Sequence, residues 1–177
     1  MINKFELDML LENANKARIQ GDKRFAADRY RQAGDLLIEA GDYDNAIRIL
    51  YSSVSLEMEL GNPAQAETTL RRALTLVSRE DVAYLEPQVI YHLAQALLAQ
   101  GRKQDAILHL TRIIPLEKQF ETDLYTPEAR KELEKLGVEI NLGKRPTAAT
   151  VEEIQPDAVI VATGAVPLVP PIAGVKQ

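Results

Sequence analysis

The sequence predicts a mainly α-helical protein of three antiparallel helix pairs, followed by a small C-terminal α/β appendage. Two observations carry the helical part. Glycine followed five residues later by alanine recurs at Gly21 and Ala26, Gly41 and Ala46, Gly61 and Ala66, and Gly101 and Ala106. Regular recurrence marks a repeated structural unit. Between these glycines, apolar residues recur at three- and four-residue steps, the period of an amphipathic helix. The appendage rests on a change of texture after Pro115, where an alternating run (138–142) and a continuous apolar run (158–162) both read as strands.

Residues 2–20 set Phe5, Met9, Leu10, Asn13, Ala14, Ala17 and Arg18 along one mostly apolar side, which is expected to face a neighbour. Residues 23–40 follow with Phe25, Ala26, Tyr30, Ala33 and Leu37. Gly34 lies inside this second helix at a cost of about 1 kcal/mol against alanine, which implies that another helix crosses there closely. Residues 43–60 carry Ala46, Ile47, Leu50, Val54 and Met58, with the Asp42 and Asp44 carboxylates read as capping the helix start. Pro63 suits the first turn of a fourth helix that runs to about Val77. Ser78 to Glu86 is the longest connection of the array, and Pro87 opens a fifth helix ended by Gly101. A sixth helix is expected to break or kink at Pro115, which has no N–H to donate. The pairs are therefore 2–40, 43–78 and 86–114, within a helical domain of residues 1–120.

The second domain, residues 126–177, starts with Thr126 as cap, Pro127, and Gly137 as stop. Thr150 to Glu153 has the spacing of a capping box and is expected to open a short helical turn that Pro156 ends. Residues 163–177, with Pro167, Pro170 and Pro171, read as extended coil.

Composition excludes several classes of function. Basic and acidic residues number 15 and 19 over residues 1–125 and 6 and 7 over 126–177, within a formal charge of −5, so neither part is an electrostatic footprint for nucleic acid. There is no cysteine, hence no disulfide or thiolate metal site, in keeping with a reducing cytoplasm. No apolar run reaches the roughly 20 residues that span a bilayer, and Lys4, Glu6 and Asp8 interrupt the first residues where a signal peptide would be apolar.

Tyr30, Ala33, Gly34, Leu37, Gly41, Tyr43, Ala46, Leu50 and Ser53 resemble the small-and-large pattern of a tetratricopeptide repeat. Leu93, Ala94, Leu97, Gly101, Ala106, Leu110 and Ile113 resemble it again. The resemblance covers about the first 115 residues and implies helix pairs stacked as a right-handed solenoid that binds partners on its concave face. Pairs of about forty residues are more similar to the long-helix variants of the SNAP family of vesicle-fusion adaptors and of bacterial regulators. Glu57 stands where the family has an apolar residue.

Residues 136–140, then Pro156 to Ala165, with Pro167, Pro171, Ile172, Gly174 and Val175, resemble a piece of the FAD-binding domain of two-dinucleotide flavoproteins, in the 2,4-dienoyl-CoA reductase and trimethylamine dehydrogenase group. That resemblance implies shared ancestry or a fusion with such an oxidoreductase. It would place Thr163 and Gly164 near the cofactor. Yet the chain has no G-x-G-x-x-G to let a backbone approach a diphosphate, so no cofactor is expected.

His92 and His109 each lack a second imidazole at ligand spacing, and no nucleophile-turn motif occurs. The expected activity is recognition without catalysis, by an interaction scaffold for a protein or peptide. Its candidate contacts are Arg48, Tyr51 and Ser55 on one helix and Gln88, Tyr91 and Gln95 on another, equivalent by a shift of forty residues. Tyrosine offers large contact area at low entropic cost. Packing of both tyrosines between helices is the competing reading. No nucleic-acid or membrane partner is expected, and a homodimer through the C-terminal segment would cover its strands.

Overall fold

The computed structural model describes residues 3–139 and 147–156. The chain divides into two compact units, Met1–Ile140 and Asn141–Gln177. In the first, α1 (Lys4–Gln20), α2 (Lys23–Glu39), α3 (Tyr43–Glu59) and α4 (Pro63–Leu76) are followed by a 3₁₀ segment, Glu80–Leu85. Then come α5 (Glu86–Ala99), α6 (Lys103–Gln119) and α7 (Thr126–Lys135). Each helix packs on its neighbours in sequence, and those joined by tight turns must run antiparallel.

Among the described residues the same turn joins consecutive helices four times. Gly21, Gly41, Gly61 and Gly101 all have positive φ. The N–H of the next residue donates back across the helix end, Asp22 to Ala17, Asp42 to Leu37, Asn62 to Glu57 and Arg102 to Leu97, at 2.9 to 3.0 Å. This satisfies carbonyls that a helix end leaves free. At two of these turns the same residue then caps the helix that follows, since the Asp22 carboxylate accepts from Phe25 N–H and Asp42 from Asn45 N–H.

Gly34 marks the closest approach of two helices. A Cβ there would lie 2.6 Å from Leu50 Cδ2 on α3, so glycine is what lets α2 and α3 meet. Two core clusters result. One joins Ala14 and Ala17 of α1 to Ala26, Ala27 and Tyr30 of α2 and to Leu56. The larger runs from Ile47 and Val54 of α3 through Leu70, Val89, Leu93, Leu97, Leu110 and Ile113 to Leu133 of α7.

Several expectations need correction. Phe5 and Met9 are exposed (76% and 43%), because α1 has a helix on one side and presents them on the other. The connection after α4 is ordered, with Val82 and Leu85 buried in the larger core. Helix α6 does not stop at Pro115: it continues to Gln119, anchored on either side of the proline by buried Ile113 and Glu117. Glu57, where the repeat pattern has an apolar residue, is buried with its carboxylate held by Arg31 of α2 at 2.6 Å and by the Asn62 amide at 3.2 Å. The start of α7 is capped by the buried Glu117 carboxylate and not by Thr126, accepting from Tyr125 N–H at 2.8 Å and Thr126 N–H at 2.7 Å.

In the second unit α8 (Ala148–Ile154) has a capping box between Thr147 and Thr150, three residues earlier than the sequence spacing suggested. It ends at Gln155, in the left-handed conformation, just before Pro156. No strand occurs among the described residues. Val138 and Glu139 are irregular, and Val138 N–H returns to Leu133 O as part of the α7 terminus. The fold is mainly α, and an α/β appendage is not supported. The rest of the expected strand 138–142 and all of 158–162 lie outside the described residues.

Candidate functional site

Three odd-numbered helices supply one face. Between α3 and α5 lies a cleft of about 390 Å³ lined by Tyr51, Ser55 and Met58 from α3 and by Gln88, His92 and Gln95 from α5. A second cleft of about 350 Å³ has Asn15 and Arg18 of α1 beside Ser52 and Leu56 of α3. Ser55 and Glu59 line both clefts, so the two form one continuous groove across α1, α3 and α5.

An aromatic chain extends the face towards α7. The Tyr51 ring meets His92 edge-on at 5.1 Å, His92 meets Tyr91 at 5.7 Å, and Tyr91 meets Tyr125, just before α7, at 5.4 Å. Such separations fall in the attractive range for ring pairs. Each of these rings is half-buried. Burial pushes the Tyr51 hydroxyl pKa up strongly, and this hydroxyl has no hydrogen-bond partner among the described residues. Burial also lowers the His92 imidazole. Tyr91 is raised by burial and then by the Glu132 and Glu128 carboxylates, with Lys135 opposing. Tyr125 is raised by burial, then by Glu117, Tyr91 and Glu128.

Of the residues singled out in the sequence, Tyr51, Ser55, Gln88 and Gln95 line the cleft together. Tyr91 stands beside it, turned to Tyr125. Arg48 is engaged elsewhere, bonded to the Asp44 carboxylate and within 3.5 Å of the Tyr84 hydroxyl. Both tyrosines also pack against the larger core, so contact surface and packing are combined in them. Sequence reasoning missed His92, the ring that links Tyr51 to Tyr91. It also missed Tyr125, which lies before a helix with no counterpart by the forty-residue shift. For His92 the signal was its place next to Tyr91.

Among the described residues no group of three or more histidines and carboxylates is placed to hold a metal ion. No helix among them is long and apolar enough to cross a membrane.

Stacked antiparallel helices with glycine turns and an open groove define a helical-repeat protein. Residues 51–119, from within α3 to the end of α6, match the family model of the tetratricopeptide repeat, and the helical fold of the described residues agrees with a TPR-like repeat. The match ends at α6, and nothing in it supports the flavoprotein resemblance of the tail. No solved structure matches the chain.

Proposed function

We propose that the protein is a non-catalytic interaction scaffold of the cytoplasm, which binds a peptide or protein segment in the groove across α1, α3 and α5. The continuity of that groove carries the reading: two clefts share Ser55 and Glu59, and amide, hydroxyl and aromatic groups line them. These groups are oriented by rigid helices and offer both hydrogen bonds and ring surface to a partner. Tyr51, Ser55, Gln88 and Gln95 act as the floor, and Tyr91 as the edge. Arg48 acts from outside the cleft by holding the start of α3 to the 3₁₀ segment. TPR repeats are in general protein-interaction modules, in agreement with this role.

Capture of partners by the intact chain and by a Gln88→Ala/Gln95→Ala variant tests it. Binding should fall by about 1 to 2 kcal/mol per side chain, with the unfolding midpoint unchanged. Equal capture by both proteins would defeat the groove reading. Flavin absorption bands near stoichiometry in the purified chain would instead call for an oxidoreductase-derived cofactor site.

A further inference from the structure

The charges along this face are not evenly spread. At the α1 end Arg18 lines the groove, while Glu59 beside it is paired with Lys23 of α2 at 3.0 Å. At the α7 end stand Glu128 and Glu132 with Lys135, which is committed to Glu132 at 2.7 Å. Glu128 is exposed and makes no ion pair among the described residues. With those pairs set aside, Arg18 remains at one end of the face and Glu128 at the other, and Glu128 lies near the Tyr91 and Tyr125 rings beside the cleft.

Those rings lie 5.4 Å apart and are inclined by 38°. Electron-rich ring faces attract cations, and more strongly where water is partly excluded, as at half-buried tyrosines. Carboxylates beside the rings add to the same field. Burial raises both tyrosine hydroxyls first, and the further upward push of Glu128 on each agrees with a negative local potential. An acidic partner would be repelled here and an apolar one would leave Glu128 facing it unpaired.

We propose that Tyr91 and Tyr125, with Glu128 and Glu132, form the seat for a lysine or arginine side chain of a peptide lying in the groove. The adjoining residues of that peptide lie over Tyr51, His92 and Met58. The inference rests on the groove reading above and adds the chemistry of the partner. Charge complementarity chooses the occupant and fixes its direction, with any acidic residue placed towards Arg18.

Random twelve-residue peptides displayed on phage and selected on the full chain are the probe. Enriched peptides should carry lysine or arginine at one fixed position. Replacing it with norleucine or citrulline should weaken binding about tenfold. Glu128→Gln/Glu132→Gln should weaken it severalfold and flatten its dependence on salt. Tyr91→Phe should bind normally, while Tyr91→Ala should lose about tenfold. Peptides without a fixed basic position, whose binding still needs Gln88 and Gln95, would overturn this proposal and leave the groove intact. Selected peptides insensitive to Gln88 and Gln95, or an empty selection, would remove both. A chain that is dimeric by light scattering and made monomeric by Tyr91→Ala would assign the seat to a second copy and overturn the peptide proposal.

Discussion

At the N-terminal end α1 meets α2 through Ala14, Ala17, Ala26 and Ala27, all buried, with Tyr30 and Leu56 as the large side chains of that cluster. At the C-terminal end Leu93, Leu97, Leu110, Ile113 and Leu133 fill the space between α5, α6 and α7. Alanine permits close helix approach but removes little apolar area from water, at about 25 cal/mol per Å². Leucine and isoleucine remove much more. The comparison teaches that helices of similar length in one array are held by different means, small-residue contact at one end and bulk burial at the other. The N-terminal layer should open first, and amide exchange in α1 should be faster than in α5.

The largest test of that contrast is Leu97→Ala, at a fully buried site, which should cost about 2 to 5 kcal/mol in urea unfolding. Ala17→Gly should cost only about 1 kcal/mol, and equal losses would abolish the distinction. Next is the ion pair between Arg31 and buried Glu57, which ties α2 to α3. Arg31→Met leaves that carboxylate with the Asn62 amide as its remaining partner and should cost about 2 to 3 kcal/mol. Gly34→Ala would push Leu50 aside, and the loss, about 1 to 2 kcal/mol, exceeds the helix-propensity gain. An unchanged midpoint would mean that Leu50 has room to rotate.

A smaller effect depends on pH. Burial lowers the His92 imidazole, and burial with Arg112 and Arg71 lowers His109, below the ordinary 6.5. The unfolded chain thus takes up protons that the folded chain refuses. Stability should be full above about pH 6.5 and fall as the pH drops through that value towards the lowered folded-state values. His92→Gln should lessen the fall, and a melting temperature that is flat from about pH 7 to about pH 5 would contradict it. The smallest change is Tyr51→Phe, which deletes a hydroxyl with no partner among the described residues. It should leave stability equal or raise it by up to about 1 kcal/mol; a clear loss would reveal a bound water or partner there.

The helix pattern was legible because each turn repeats a local signal, glycine with positive φ and a residue whose N–H closes the previous helix. The crossing at Gly34 was legible for the same reason, since a mid-helix glycine has a cost that a contact must offset. What escaped was non-local. Pro115 reads as a break from its own chemistry, and burial of Ile113 and Glu117, the latter holding the start of α7, carries α6 past it. The candidate cleft was half visible, since the forty-residue shift found Tyr51, Ser55, Gln88 and Gln95. His92 and Tyr125 join it through tertiary contacts that no repeat encodes.

The Glu117 carboxylate holds the backbone of Tyr125 and Thr126, and it sits two residues beyond Pro115. Pro115 deprives the last turns of α6 of one hydrogen bond, yet the Tyr125 ring also packs on the larger core and on Tyr91. That edge of the face therefore has two separable holds, a backbone clamp from one buried carboxylate and a ring seated among other rings. Glu117→Gln should loosen the first and spare the second, with faster amide exchange at Tyr125 and Thr126 while the Tyr91 and Tyr125 rings stay in contact.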